Sequence, residues 1–157
     1  MKICMIGAGY VGLVSGTCFA ELGNNVICVD NNSNKISKLK NGEIPIYEPG
    51  LEELIKRNLK QKRLQFSTNI SASIKKSDLI FICVGTPTNP KSNQADLKYV
   101  YQVLIDIKNN LNKYKIIVTK STVPVTTGDK IQNLLTTKNN KKLFDVVSNP
   151  EFLREGE

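Results

Sequence analysis

Histidine and tryptophan are both absent from the 157 residues. Without histidine there is no imidazole to act as a general base, no Ser-His-Asp triad and no His-ligated metal. Arginine is scarce: Arg57, Arg63 and Arg154 are the only three among 22 cationic residues, and the rest are Lys. Base readout and bidentate phosphate binding favour Arg. The Lys residues are scattered, with one small cluster at Lys60, Lys62 and Arg63. The net charge of +8 therefore reads as a solvated Lys-rich surface, and no nucleic-acid partner is expected.

Cysteine is limited to Cys4, Cys18, Cys28 and Cys83, and no two form a CxxC pair. Zinc-ribbon and thioredoxin-like readings fail, and no metal site is expected. All four lie in apolar stretches, where a free thiol behaves as a small hydrophobe. They are expected to be buried and unreactive, which suits a reducing, cytoplasmic compartment. Long apolar runs are missing too. The stretch from Ile3 to Ala20 is interrupted by Gly7, Gly9, Gly12 and Gly16 and closed by Glu21. It is neither a secretory signal nor a membrane span, which needs about 20 apolar residues.

What remains is an ordinary globular composition, 40% apolar and 23% charged, sized for one core and one domain over 1–157. Apolar runs and helical periodicities alternate. Strands are expected at Lys2–Ile6, Asn25–Asp30, Leu64–Ser67, Leu79–Val84, Lys115–Thr119 and Phe144–Val147. Between the first two strands, Val11, Val14, Cys18 and Leu22 recur at helical spacing, with Gly23 as the stop. Ser33 caps a short helix carrying Ile36 and Leu39, closed by Gly42. Ile44–Gly50 (IPIYEPG) is a loop, and helices follow over Leu51–Leu59, Ile70–Lys76, Leu97–Leu111 and past Pro124 through Leu135. LIFICV is continuously apolar, as in a strand covered on both faces. The expected fold is α/β, a Rossmann-type doubly wound, mainly parallel six-stranded sheet with helices on both faces.

The chemistry gathers in the turns. Gly7-Ala8-Gly9-Tyr10-Val11-Gly12 is a GxGxxG that leaves a strand and opens a helix. The next strand ends in Asp30, 18 positions after Gly12, close to the spacing of about 20 for the acid that binds a ribose. In that pattern Gly7 allows the tight turn, Gly9 lets the backbone approach a pyrophosphate, and Gly12 lets helix and strand pack closely. A carboxylate accepts ribose hydroxyls and repels a 2′-phosphate, so NAD is favoured over NADP. Lys35 is a nearby cation that softens the preference. Gly85-Thr86-Pro87 follows LIFICV, Ser121-Thr122-Val123-Pro124 follows KIIVTK, and Asn149-Pro150-Glu151 follows DVVS. In a parallel sheet all these turns share the rim where such sheets bind ligands.

With these residues in place, the chain resembles the UDP-glucose/GDP-mannose dehydrogenases. GAGYVGL, YEPGL at Tyr47–Leu51, VGTP at Val84–Pro87, KSTVP at Lys120–Pro124 and SNPEFLREG at Ser148–Gly156 stand in that family's order. Tyr47 and the full last motif lean toward UDP-glucose over GDP-mannose or UDP-N-acetylmannosamine. The resemblance implies oxidation of the sugar C6 alcohol to a carboxylate, with two NAD reduced per turn. It assigns Gly7, Gly9, Tyr10, Val11, Gly12, Asp30, Lys35, Gly85, Thr86, Pro87, Ser121, Thr122 and Glu155 to the cofactor. It gives Glu151 an acid–base role with Thr122 beside it. It assigns Glu151, Phe152, Leu153, Arg154 and Glu155 to the sugar nucleotide.

It also implies that 1–157 is the N-terminal NAD-binding part of a longer, homodimeric enzyme. The central helix, the sugar-nucleotide domain and the catalytic Cys, Lys, Asn and Asp lie beyond it. The segment VTTG departs from the family's usual Gly after the second Val, which puts the turn at Thr126-Thr127 in question. Three other readings stand: another nucleotide-sugar dehydrogenase, a non-catalytic nucleotide-binding module, and a basic nucleic-acid binder.

Overall fold

The computed structural model describes residues 1–137, 140 and 143–151. Its strands are β1 (Lys2–Ile6), β2 (Asn25–Val29), β3 (Leu64–Ser67), β4 (Leu79–Ile82), β5 (Lys115–Thr119) and β6 (Phe144–Ser148). Its helices are α1 (Tyr10–Glu21), α2 (Ser33–Lys40), α3 (Leu51–Lys60), α4 (Ile70–Lys76), α5 (Lys98–Asn110) and α6 (Thr127–Leu135). The strands form one sheet in the order β3-β2-β1-β4-β5-β6, with every ladder parallel. The chain starts in the middle of the sheet, winds out to β3, then crosses β1 to build the other half. The reversal between β1 and β4 is a topological switch point, where open α/β sheets bind ligands.

The period of two along each strand divides the core. On β1, Ile3 and Met5 face one side with Leu13, Ile36, Leu39, Leu51 and Ile55 of α1–α3. Cys4 and Ile6 face the other with Ile74, Val100, Leu104, Ile107 and Ile131 of α4–α6. Phe19 stacks on Phe81 with ring centroids 5.1 Å apart, tying α1 to β4.

Three local expectations need correction. First, α1 turns Gly12, Leu13, Gly16, Thr17 and Ala20 into the core. The Val11, Val14, Cys18, Leu22 stripe is not its deep face: Cys18 is exposed and Leu22 is 78% exposed. α1 is apolar nearly all round, so period alone could not choose its face; the small residues won because they let the helix approach the sheet. Second, α2 is capped by Asn32, whose side-chain oxygen accepts the Lys35 N–H at 3.0 Å, with Ser33 as its first residue. Third, β2 stops at Val29 and β4 at Ile82, which frees Asp30 and Cys83–Gly85 for the rim.

The turn before α6 is formed without glycine. Thr126 holds a left-handed φ of 71°. Thr127 is buried, and its hydroxyl donates to the Pro124 carbonyl at 2.6 Å.

Candidate cofactor site

The β1–α1 turn is built by exclusion. Gly7 has φ +106°, and a Cβ on it would lie 2.6 Å from the Cys83 carbonyl oxygen. A Cβ on Gly12 would lie 1.9 Å from the Gly7 carbonyl oxygen. Only hydrogens fit at these two positions, and the turn, α1 and β4 close on one another through them. At Gly9 a Cβ would meet nothing within 4 Å, because Gly9 lines a cleft of about 490 Å³. α1 starts there with no side-chain cap and no acid in its first turn. Its positive dipole end is thus left to an anion such as a pyrophosphate.

Asp30 stands beside this turn. Its Oδ2 accepts the Ala8 N–H at 3.1 Å and Lys35 Nζ at 2.8 Å, and its Oδ1 accepts the Asn32 N–H at 3.0 Å. Burial pushes its carboxyl pKa up. The Lys35 hydrogen bond, the Asn32 N–H, the Lys35 charge and the Ala8 N–H more than offset this, and hold it below the usual Asp range. A carboxylate has about four acceptor positions. With three filled, one remains for a ribose hydroxyl.

On the other side of the switch point, the β4, β5 and β6 ends are laced together. Ser121 Oγ donates to the Val84 carbonyl at 2.6 Å and lies 3.2 Å from that of Ile82, so its hydroxyl points into the protein. Thr86 Oγ1 donates to the Thr122 carbonyl at 2.8 Å, and Thr122 Oγ1 lies 3.5 Å from the Glu151 carbonyl. The Pro87 carbonyl accepts the Asp96 N–H at 2.8 Å, and Pro87 does not line the cleft.

Lys120, which no sequence argument singled out, is only 8% exposed at its side chain. Its ammonium pairs with the Glu151 carboxylate and lies 3.3 Å from Asn149 Oδ1. Its signal was the Lys of KSTVP, quoted as motif but given no task.

The structure thus brings Gly7, Gly9, Asp30, Lys35 and Gly85 together around one cleft. Thr86, Thr122 and Glu151 form a second group on the same rim, at the ends of β4–β6. Tyr10 does not line the cleft; its hydroxyl donates to the Glu48 carboxylate in the YEPG loop. Val11 packs against the core. Phe152, Leu153, Arg154 and Glu155 lie outside the described residues.

A second hollow of about 500 Å³ opens at the opposite ends of the strands, lined by Lys2, Asn25, Arg63 and Lys76 among others. Volume does not separate the two; the glycine turn and the paired acid do. Among the described residues no group of three or more His, Cys, Asp or Glu could hold a metal ion. No helix among them is long and apolar enough to cross a membrane.

A parallel sheet with this strand order, a glycine turn opening α1 and an acid just after β2 defines a dinucleotide-binding domain of the Rossmann type. The sequence matches the family model "UDP-glucose/GDP-mannose dehydrogenase family, NAD binding domain" over residues 1–157, and the chain belongs to that family. It is 55% identical to UDP-glucose 6-dehydrogenase TuaD of Bacillus subtilis, covering 99% of this chain and 34% of the relative. It is 52% identical to a UDP-glucose 6-dehydrogenase of Rhizobium meliloti, covering 99% and 36%. A solved UDP-glucose dehydrogenase from Pyrobaculum islandicum superposes with a TM-score of 0.90 at 37% identity, over 98% of this chain and 36% of that one. The chain spans about a third of the length of these relatives.

Proposed function

We propose that 1–157 is the NAD-binding part of an enzyme that oxidises UDP-glucose to UDP-glucuronate. The observation that carries the reading is the division of the rim. A glycine turn and a paired acid surround one cleft, and a Lys-pinned carboxylate, Glu151, stands at the strand ends across the switch point. The substrate rests on the relatives of 52–55% identity that bear the name UDP-glucose 6-dehydrogenase.

The cradle fits the cofactor: Gly9 leaves room for a pyrophosphate, and Asp30 keeps one acceptor position for a ribose hydroxyl. When bound, NAD supplies the hydride acceptor. This chain's residues do the rest. The α1 end holds the pyrophosphate. Asp30 orients the adenosine ribose. Thr86 and Thr122 fix the rim beside the nicotinamide. Glu151 takes the proton of the C6 hydroxyl, or of the water that hydrolyses the Cys-bound thioester to release the product, directly or through a bridging water. With no histidine in the chain, a carboxylate is the base at hand.

The sugar nucleotide contacts Glu151 to Glu155, and its site is completed by a second domain that also brings the thioester-forming Cys; the central helix between the two domains joins the homodimer. The described cysteines are free, which supports a reducing, cytoplasmic setting.

Calorimetry of NAD and NADP with this chain tests the cofactor half. Binding of NAD with a clear preference over NADP is expected, and absence of binding overturns it. The complete enzyme, offered UDP-glucose, GDP-mannose and UDP-N-acetylmannosamine, should make NADH fastest with UDP-glucose. Faster turnover of either rival would replace the substrate. Steady NADH production by 1–157 alone would overturn the division into two domains.

A further inference from the structure

The cleft extends beyond Asp30 into a slot that the glycine motif does not account for. One wall is Thr68 and Ile70, where β3 passes into α4; the other is Tyr99, Gln102, Val103 and Asp106 of α5. Tyr99, Gln102 and Asp106 follow at the i, i+3, i+7 spacing of one helix face. Val103 is 6% exposed and Ile70 is partly buried against the same core, so the slot has an apolar lining. Gln102 and Asp106 are accessible there, and among the described residues neither side chain forms a hydrogen bond or an ion pair. The Asp106 contribution to the fold is its backbone carbonyl, which accepts Asn110 Nδ2 at 2.8 Å.

With the pyrophosphate at Gly9 and the ribose at Asp30, the base of the dinucleotide falls on the far side of Asp30, in this slot. We propose that Gln102 and Asp106 read the base, selecting adenine by its 6-amino group. The inference rests on the dinucleotide reading of the cleft. The chemistry is directional. A carboxylate only accepts, so Asp106 takes an N–H of the amino group. An amide both accepts and donates, so Gln102 matches the donor and acceptor edge of adenine. A 6-oxo base puts an acceptor opposite the Asp106 carboxylate, which loses its partner and is repelled, while the Gln102 amide must turn over to donate to the oxo group. Ile70 and Val103 contact the ring faces of any purine alike. Selection therefore comes from the polar pair.

The test compares NAD with nicotinamide hypoxanthine dinucleotide, in which a 6-oxo group replaces the 6-amino group, by calorimetry on this chain. The wild type is expected to prefer NAD by about tenfold or more. Asp106→Asn turns an acceptor into a group that can donate, and should shift the ratio toward the hypoxanthine form. Gln102→Ala with Asp106→Ala should bring the ratio close to one, mainly by weakening NAD. Melting curves should match the wild type, because neither side chain has a partner to lose. Equal affinity of the wild type for the two ligands overturns the inference. So does an unchanged ratio in Asp106→Asn and in the double variant. If the wild type binds neither ligand, the dinucleotide reading itself fails, and the inference with it.

Discussion

Lys35 Nζ lies 2.8 Å from Asp30 Oδ2, so the acid that follows β2 is paired within the chain and, on the proposed function, would meet the cofactor in that state. The ion pair gives the cofactor preference two adjustable parts. On the proposed function, Asp30 would attract ribose hydroxyls and repel a 2′-phosphate, while Lys35 would reduce that repulsion. Asp30→Ala is expected to weaken NAD binding by about 1.5–3 kcal/mol, the worth of charged hydrogen bonds, and to narrow the gap between NAD and NADP. Lys35→Ala should widen the gap, because the carboxylate then faces the phosphate unneutralised. Calorimetry with both nucleotides reads each variant, and an unchanged gap in Asp30→Ala would assign the ribose to another acid.

The same pair makes stability depend on acid. The Asp30 carboxyl sits below its ordinary range in the folded chain: burial raises it, but the Lys35 hydrogen bond and the N–H groups of Asn32 and Ala8 outweigh burial. A folded value below the unfolded one means that the stabilisation is complete above about pH 4. It is lost as the pH falls through the depressed value. Asp30→Asn removes this component. Its melting temperature should therefore fall less than that of the wild type between about pH 5 and pH 3. Parallel losses in the two proteins would refute the assignment.

Lys115 opens β5 and, although it is a lysine at a strand end, it is wholly buried. Its ammonium donates to the Ser77 carbonyl at 2.6 Å and lies 3.5 Å from that of Lys75, closing the C-terminus of α4. Lys115→Ala should cost about 3 kcal/mol, from the void and the carbonyl left without its donor. Urea unfolding measures the loss, and a cost under about 1 kcal/mol would show that water replaces the ammonium. Burial, aided by the Lys113 charge and opposed by Asp78 and Cys4, lowers the Lys115 pKa. A lowered Lys value means that the unfolded chain holds more protons over the interval between the two values. Wild-type stability then has a component that rises with pH below about 10.4, the ordinary Lys value. Lys115→Ala lacks it.

Lys115 also marks where sequence reading stops. Strand positions and their parallel order were legible because apolar runs alternate with helical periods and crossovers demand it. The candidate cleft was legible at Gly7, Gly9 and Asp30, which line it, and the close packing behind it at Gly12. The burial of Lys115 and Lys120 was not legible. A lysine in a strand or turn looks solvated until the carbonyls or carboxylate that receive it are placed by distant segments. The face of α1 was hidden for the opposite reason, since a helix that is apolar all round gives periodicity nothing to select.

Thr126 carries φ 71° at an exposed position before α6. A β-branched residue is strained in the left-handed region, at roughly 1–2 kcal/mol. The Thr126 side chain makes no hydrogen bond among the described residues to offset this. Thr126→Gly is therefore expected to stabilise the chain by about 1 kcal/mol, less than the full strain because glycine also loosens the unfolded chain. For a domain of this size that raises the melting temperature by about 2–4 °C. A lower melting temperature would mean that this threonine supports the turn through its own side chain.

Gly9 and Gly12 separate binding from folding within one motif. Alanine at Gly12 forces its Cβ to 1.9 Å from the Gly7 carbonyl oxygen and 3.1 Å from Cys83 Cβ. The first contact is backbone and cannot swing aside, so α1 must shift off β1 and β4. Overpacking of this kind costs about 3 kcal/mol, a large part of a typical domain's stability of about 5–15 kcal/mol. Alanine at Gly9 meets no protein atom within 4 Å, and the N-cap φ of −80° is one that alanine adopts freely. Its methyl group occupies the space above the turn that a pyrophosphate needs. Gly9→Ala should therefore melt close to the wild type and lose NAD binding by tenfold or more, about 1.4 kcal/mol. Gly12→Ala should lose stability first, and binding with it. Thermal melts and calorimetry on the two variants distinguish these outcomes. If Gly9→Ala bound NAD as the wild type does, the pyrophosphate would not lie against this turn.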